Sequence, residues 1–291
     1  MTQPKTDPAA SPRRSPVQRL LRYAPGSRPG RLLLLALLAS VVGWALWYNQ
    51  HRSATWHDTL NPLYWVARYR GDDLYFPATA FLKHGNRHLH EIALTFDDGP
   101  HVESRAQILD TLKQYNAHAT FFDVGVRMAE QPALLRRTLD EGNEVGNHSS
   151  LHQRLDGLNA HARHREINDA DITFYRITHG HLTLLRPPGE RYNDAVLADT
   201  KAMGYIVVGH SSAAHDYETD ISPDFIIDRT CASAEDGSII LLHDYPATAR
   251  ALPEILRRLS AHGYRFVTIS ELIAHLPERP RKEAERFIAL E

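Results

Sequence analysis

The chain has 291 residues, enough for one large domain or two smaller ones, and its 43% of apolar residues is sufficient to build a core. The formal net charge of −2 gives no indication of a nucleic-acid partner. The single cysteine, Cys231, excludes a disulfide within one chain. The sequence does not indicate an oligomeric state.

The first 31 residues form a polar segment rich in proline and arginine, with Asp7 as its only acid. Such a composition predicts a disordered basic tail over 1–31. An apolar segment without a charged residue, 32–48, follows it. As a helix this segment would be about 26 Å long, at the short end of what crosses a bilayer. Trp44, Trp47 and Tyr48 at its far end are typical of an interfacial aromatic belt.

The pattern over 32–48 favours an uncleaved, single-pass membrane anchor. A cleaved signal peptide fits less well, because the basic region is long and no clear small-x-small site follows the apolar run. A buried core helix should have a polar face, which this segment lacks. The preceding arginines predict a cytoplasmic N-terminus, so the rest of the chain should face the periplasm or the cell exterior. Residues 49–90 are interpreted as a connector, which either packs on the following domain or lies along the membrane.

From residue 91 onward, apolar runs alternate with helical patterns. The predicted strands are Ile92–Phe96, Ala119–Val124, Glu144–Asn147, Leu182–Leu185, Tyr205–Val208, Ile239–Leu242 and Arg265–Thr268. The predicted helices are Ser104–Tyr115, Pro132–Glu141, His161–Ile177, Asp194–Met203, Pro223–Ala232, Ala249–His262 and Ile269–Leu276. This alternation predicts a parallel α/β barrel or wound sheet over 91–276, with a charged helical tail over 277–291. In such folds the chemistry lies at the C-terminal ends of the strands.

Two adjacent carboxylates, Asp97 and Asp98, end the first of these strands. Buried carboxylates are costly without partners. Neighbouring side chains of a strand point to opposite faces, but this regularity is lost at a strand end, so both groups can reach one pocket. One carboxylate would then hold a metal while the other takes a proton. The alternative is an ordinary surface turn built on the Asp-Gly-Pro sequence.

His148 and His152 follow the third strand and are four residues apart, so they share a face if the segment is helical. Together with Asp98 they form a set of two nitrogen ligands and one oxygen ligand, which leaves an open position for water as catalytic zinc sites require. Zinc is the first choice, although other divalent first-row ions bind the same donors. An accidental pair remains the alternative, because the chain has 18 histidines.

Two further polar residues come at the ends of later strands. Arg186 follows the fourth strand and is expected either to pair with one of the carboxylates or to be a surface arginine before a proline turn. His243 directly terminates the sixth strand, so it should face the same rim as Asp97.

Five segments resemble, in order and approximate spacing, the five motifs of the polysaccharide deacetylases, the carbohydrate esterases that include chitin, chitooligosaccharide and peptidoglycan deacetylases. They are Thr95–Pro100, His148–His152, Arg186–Gly189, Asp216–Tyr217 and Leu241–His243. The resemblance covers roughly residues 90 to 276. It implies a distorted (β/α) barrel of seven or eight strands. It also implies the metal-dependent removal of N-acetyl groups from a GlcNAc-type polysaccharide or oligosaccharide of the cell envelope.

The resemblance also implies catalytic roles. Asp97 matches the general base and His243 the general acid. The matching metal ligands are Asp98, His148 and His152. The supporting positions are Arg186, which orients the base, Asp216, which supports the catalytic histidine, and Leu241, which lines the acetyl pocket.

Two positions depart from the family pattern. Gly189 stands where the third motif usually ends in tyrosine, but the backbone N–H that stabilises the oxyanion is retained. Tyr217 stands where the fourth motif usually has tryptophan, and it can still form a wall of the pocket. These departures leave open a deacylase of a lipid-linked or small envelope substrate. A catalytically silent glycan-binding module is the third hypothesis, and it predicts the loss of a ligand or of the base, all of which are present.

Overall fold

A computed structural model of the chain describes residues 74–76, 79–218, 220–278 and 281–282. The predicted basic tail (1–31), the predicted anchor (32–48), the first part of the predicted connector (49–73) and most of the predicted C-terminal tail (277–291) lie outside the described residues. Among the residues that are described, no helix has the length and apolar character needed to span a bilayer.

Strands and helices alternate along most of the described chain. The strands are β1 (Tyr75–Phe76), β2 (Phe81–Leu82), β3 (Glu91–Gly99), β4 (Ala119–Asp123), β5 (Glu144–Asn147), β6 (Leu184–Leu185), β7 (Ile206–Val208), β8 (Ser212–Ala213), β9 (Ile239–His243) and β10 (Arg265–Phe266). The helices are α1 (Val102–Gln114), α2 (Gly125–Glu130), α3 (Pro132–Asp140), α4 (Ala160–Thr178), α5 (Asp194–Ala202), α6 (Pro223–Ser233), α7 (Pro246–Ala261) and α8 (Ile269–Ala274). Short 3₁₀ turns occur at Leu155–Gly157 and Pro188–Glu190.

The strands form one sheet with the order β1-β2-β7-β6-β5-β4-β3-β9-β8, and β10 pairs with β3. The pairing is parallel throughout, except between β1 and β2. Since β1 and β8 are the two ends of this path, the sheet is an open half-barrel. The predicted α/β class with a parallel, barrel-like sheet is therefore confirmed. The C-terminal ends of the parallel strands share one rim.

The seven predicted strands and seven predicted helices are all present, with ends shifted by a few residues. The sequence analysis missed β1, β2, β8 and α2. The three strands have two residues each, too few for a periodic pattern to be recognised. Two of them lie in the segment interpreted as a connector, where Phe81 pairs with Val207 of β7. The described part of that segment thus adds two short strands to the sheet.

The side chains of β3 alternate between the two faces of the sheet. Ile92, Leu94 and Phe96 pack into a core shared with α1, α6 and α7. The intervening Ala93 belongs to a second core, inside the half-barrel, which α8 helps to fill. Because side chains on a strand alternate with a period of two, Asp97 continues the inner row at the end of the strand.

Candidate active site

Asp97 lies at the C-terminal end of β3 and is 4% exposed. The Nη1 of the fully buried Arg186 donates hydrogen bonds to Asp97 Oδ1 at 2.8 Å and to Thr95 Oγ1 at 2.7 Å. The guanidinium also lies over the Phe122 ring, 4.3 Å from its centroid. The predicted pairing of Arg186 with a carboxylate is therefore present, and it fixes the orientation of Asp97.

Asp98 turns into the same pocket because β3 bulges. The register with β4 shifts between Asp97 and Gly99, and Asp98 adopts a φ of 69°. A bulge of this kind re-aims a side chain at a strand end. The sequence analysis expected both carboxylates to reach one pocket, and the bulge is the backbone feature that achieves it. The surface-turn alternative fails, because both side chains are largely buried.

His148 and His152 reach Asp98 from the loop after β5. This loop is not helical, since Ser149 and His152 have φ values of 64° and 58°, so the pair does not share a helix face. The loop is instead held by the Asn147 side chain, which accepts a hydrogen bond from the Ser149 N–H at 2.8 Å. Backbone in the left-handed region, not one helix face, places the two rings at a centroid distance of 5.0 Å.

The three predicted ligands fit a divalent ion. Asp98 Oδ1 lies 3.4 Å from His148 Nε2 and 3.0 Å from His152 Nε2, and the donor atoms are all within 4.8 Å of one another. Oδ1 is buried, and no described residue gives it a well-formed hydrogen bond. His148 Nδ1 lies 2.7 Å from the Arg186 carbonyl oxygen; an N–H there donates to that oxygen and leaves Nε2 as a lone-pair donor.

Electrostatics keep Asp98 ionised. Burial raises the pKa of Asp98, but His148, His152 and Tyr245 outweigh this effect and hold the pKa well below its usual range. A carboxylate beside two imidazole nitrogens is a donor set that zinc and other first-row divalent ions share. The residues therefore fit the metal that the family resemblance implies, without selecting one ion.

His243 ends β9 directly opposite Asp97 in the register of the sheet. Its Nδ1 lies 2.8 Å from Asp216 Oδ1, and its backbone N–H donates to Asp216 Oδ2 at 2.7 Å. Asp216 is buried and also accepts a hydrogen bond from Thr248 Oγ1 at 2.6 Å. Burial lowers the pKa of His243, but the hydrogen bond and charge of Asp216, together with the charges of Asp97 and Asp98, raise it overall.

Eight of the ten predicted site residues line one pocket of about 390 Å³. The other two are Arg186, which is hydrogen-bonded to Asp97, and Asp216, which is hydrogen-bonded to His243. The eight are Asp97, Asp98, His148, His152, Gly189, Tyr217, Leu241 and His243. Gly189 has a φ of 62°, which glycine adopts without strain. Tyr217 is 53% exposed, with its ring 5.5 Å from that of His243.

Sequence reasoning missed several residues at the site. Glu190 and His210 both line the pocket, with His210 Nδ1 2.5 Å from Glu190 Oε1. His215 also lines it. Tyr245 donates a hydrogen bond to Asp98 Oδ2 at 2.6 Å. The sequence could have indicated Tyr245, because this residue lies two positions after His243 and follows the end of the same strand.

A fully buried ion cluster lies beneath the rim. Arg105 Nη2 lies 2.5 Å from Asp123 Oδ1, and Arg105 Nε lies 2.8 Å from Asp244 Oδ2. Asp244 also receives hydrogen bonds from the Ser104 hydroxyl and from the His101 N–H. This cluster ties α1 to the ends of β4 and β9 and thereby supports the rim that carries Asp97 and His243.

Comparison with known proteins identifies the family of this chain. The family model described as polysaccharide deacetylase matches residues 84–208. The chain is 42% identical over 182 residues to the peptidoglycan-N-acetylmuramic acid deacetylase PdaC of Bacillus subtilis (strain 168), a match that covers 62% of this chain and 38% of PdaC. It is 38% identical over 190 residues to a peptidoglycan-N-acetylglucosamine deacetylase of Bacillus cereus, covering 63% of this chain and 88% of that protein.

The solved structure of peptidoglycan deacetylase PdaC from Bacillus subtilis has a TM-score of 0.63 to this chain at 40% identity, covering 69% of this chain and 98% of that chain. The family resemblance and the enzyme class predicted from the sequence are thereby confirmed. The chain belongs to the polysaccharide deacetylase family of hydrolases.

Proposed function

We propose that this chain is a metal-dependent N-deacetylase of an N-acetylated cell-wall glycan, with peptidoglycan as its substrate. One observation carries the proposal. A single pocket of about 390 Å³ contains an intact three-ligand set together with two groups held by opposite partners, Asp97 by Arg186 and His243 by Asp216. A base and an acid in the same pocket as a metal-ligand set fit hydrolysis of an amide.

A divalent ion, most favourably Zn²⁺, would be held by Asp98, His148 and His152, and it would supply Lewis acidity and water activation. Asp97 takes the proton of the attacking water. Arg186 occupies Asp97 Oδ1, so Oδ2 is the oxygen left for that proton. The Gly189 N–H donates to the oxyanion that develops on the acetyl carbonyl.

His243 protonates the departing amine. Its Nδ1 faces Asp216, so Nε2 is the atom that delivers the proton to the sugar nitrogen. Because Asp216 raises the pKa of His243, the imidazolium persists to higher pH than a free histidine would allow. Leu241 closes the pocket at the acetyl group, and Tyr217 forms its exposed wall.

A polymeric substrate fits the surface beside the pocket. A groove of about 670 Å³ shares His210, Ala213 and His215 with the pocket, so the two adjoin at these residues. This groove offers room for the sugars next to the one that is deacetylated. The two curated relatives compared above are named for N-acetylmuramic acid and for N-acetylglucosamine of peptidoglycan, which supports a cell-wall glycan as the substrate class.

The cell wall lies outside the cytoplasmic membrane, and we propose that residues 32–48 anchor the enzyme there as a single pass. The apolar segment and its aromatic end support this topology, with the basic tail in the cytoplasm. Protease added to intact spheroplasts should digest the part after the anchor. Full protection of that part would overturn the topology.

Acetate release by the full-length enzyme tests the function. Zinc-loaded protein should release acetate from peptidoglycan or from chitooligosaccharides, and chelation should abolish the release. Exposed Asp110→Asn serves as a control that should retain activity. Release from small acylated envelope substrates alone would favour the alternative deacylase. Glycan binding without release from any substrate would identify a binding module and overturn the proposal.

A further inference from the structure

Tyr245 connects the candidate metal ligand and the candidate acid. Its hydroxyl donates to Asp98 Oδ2 at 2.6 Å. Its ring stacks on the His243 ring, with centroids 5.3 Å apart and an interplanar angle of 16°. Its backbone N–H donates to the His243 carbonyl oxygen at 2.8 Å, immediately before α7 begins at Pro246. The side chain is thus placed by the same strand end that carries His243.

Because of this hydroxyl, the two carboxylate oxygens of Asp98 have different partners. Oδ2 accepts from Tyr245, whereas Oδ1 is buried, faces the two histidine nitrogens and receives no well-formed hydrogen bond from a described residue. Arg127 holds the same residue from the other side by donating to the Asp98 carbonyl oxygen. Both the backbone and the carboxylate of Asp98 are therefore fixed before an ion binds.

We propose that Tyr245 is a positioning residue that holds Asp98 for metal binding through Oδ1 alone. The inference rests on the metal-dependent activity proposed above. A carboxylate fixed by a hydrogen bond loses less conformational freedom when it binds an ion, and its second oxygen is kept from occupying another coordination position. That position then remains open for water and substrate.

The matched comparison uses another tyrosine of the same chain. Tyr264 also stacks on a histidine ring, that of His90, at 3.9 Å and 18°. Its hydroxyl interacts with the carboxylate of Asp236. Tyr264→Phe therefore removes a tyrosine hydroxyl that interacts with a carboxylate in another histidine-stacked pair, but without a metal ligand. Tyr264→Phe is thus a control for the loss of a tyrosine hydroxyl away from the candidate metal ligands.

Zinc affinity of the full-length apoprotein is the direct test, measured by competition with a chelating dye. Tyr245→Phe should weaken zinc binding by about 10- to 100-fold, the usual effect of removing an outer partner of a ligand. Tyr264→Phe should bind zinc as the unaltered chain does. Wild-type zinc affinity of Tyr245→Phe would overturn the proposal.

Two further readouts separate positioning from damage to the fold. The visible spectrum of the Co²⁺-loaded protein should change in Tyr245→Phe and stay unchanged in Tyr264→Phe, because it reports the ligand geometry. Thermal unfolding of the two apoproteins should be alike. If the zinc affinity of Tyr245→Phe fell only in proportion to a loss in the stability of its apoprotein, the result would count against a positioning role for Tyr245. Neither metal readout depends on the substrate, so a failure of the proposed reaction would leave this test independent.

Discussion

Asp97 and His243 are neighbours at the ends of the adjacent strands β3 and β9, and their partners give them opposite tasks. Asp97 Oδ1 accepts a hydrogen bond from the buried cation Arg186, which orients the carboxylate and leaves its second oxygen for a proton. His243 meets a buried anion, Asp216, which favours the imidazolium that donates one. Two titratable groups in one pocket with opposite partners are the arrangement expected of a base and an acid.

Replacing Asp97 with asparagine should lower kcat by about 10²- to 10⁴-fold, because the amide cannot take the proton of the attacking water. Zinc affinity should stay near that of the unaltered enzyme, since Asp97 is not one of the three ligands. Acetate release and dye competition measure the two quantities. Turnover close to that of the unaltered enzyme would show that another group is the base.

Replacing Asp216 with asparagine should move the alkaline limb of the pH–kcat profile to lower pH. The hydrogen bond and charge of Asp216 raise the pKa of His243, so their loss lowers it. The acid works in its protonated form, and activity is lost as the pH rises through that pKa. Asp236→Asn breaks a comparable pair with His90, at 2.6 Å, and should leave the profile unchanged. An unmoved limb in Asp216→Asn would exclude His243 as the group that sets it.

At the scale of elements, the sequence predicts which residues meet but not how the backbone brings them together. Polar residues that directly follow apolar strands were expected at one rim, and Asp97 and His243 are paired in register there. The bulge at Asp98 and the non-helical turn at His152 were not predicted. Such left-handed positions depend on contacts between distant segments, such as the Arg127 bond to Asp98, and carry no local periodic signal.

The sequence analysis also missed the cluster of Arg105 with Asp123 and Asp244, because the cluster joins distant segments and has no local periodic signal. We expect this cluster to stabilise the fold. Arg105→Met leaves two buried carboxylates without their cation, which should cost about 3–5 kcal/mol in the free energy of unfolding by urea. Arg257→Met breaks a pair that is 60% exposed on the arginine side and should change stability by less than about 0.5 kcal/mol. Equal effects of the two substitutions would show that the cluster does not hold the rim.

At the scale of the molecule, the half-barrel is completed by two-residue strands that are too short to be recognised from the hydrophobic pattern. β2 covers the flank of β7, and β8 covers the flank of β9, so each extends the sheet beyond the strands that a hydrophobic pattern reveals. β8 contributes Ala213 to both the pocket and the adjoining groove. The longer strands and helices follow from periodicity, whereas the outer strands of the sheet follow from two-residue pairings that form only once the sheet exists.

Metal binding should stabilise the whole fold, because the three ligands come from β3 and from the loop after β5 and meet only in the folded chain. At a free zinc concentration 1,000 times the Kd, the free energy of unfolding should rise by about 4 kcal/mol. Asp98→Asn removes a ligand and should lose most of this gain. Asp97→Asn changes the neighbouring carboxylate and should keep it, so a zinc-induced shift in urea unfolding that is equal in the two variants would contradict the assignment of Asp98 as the ligand.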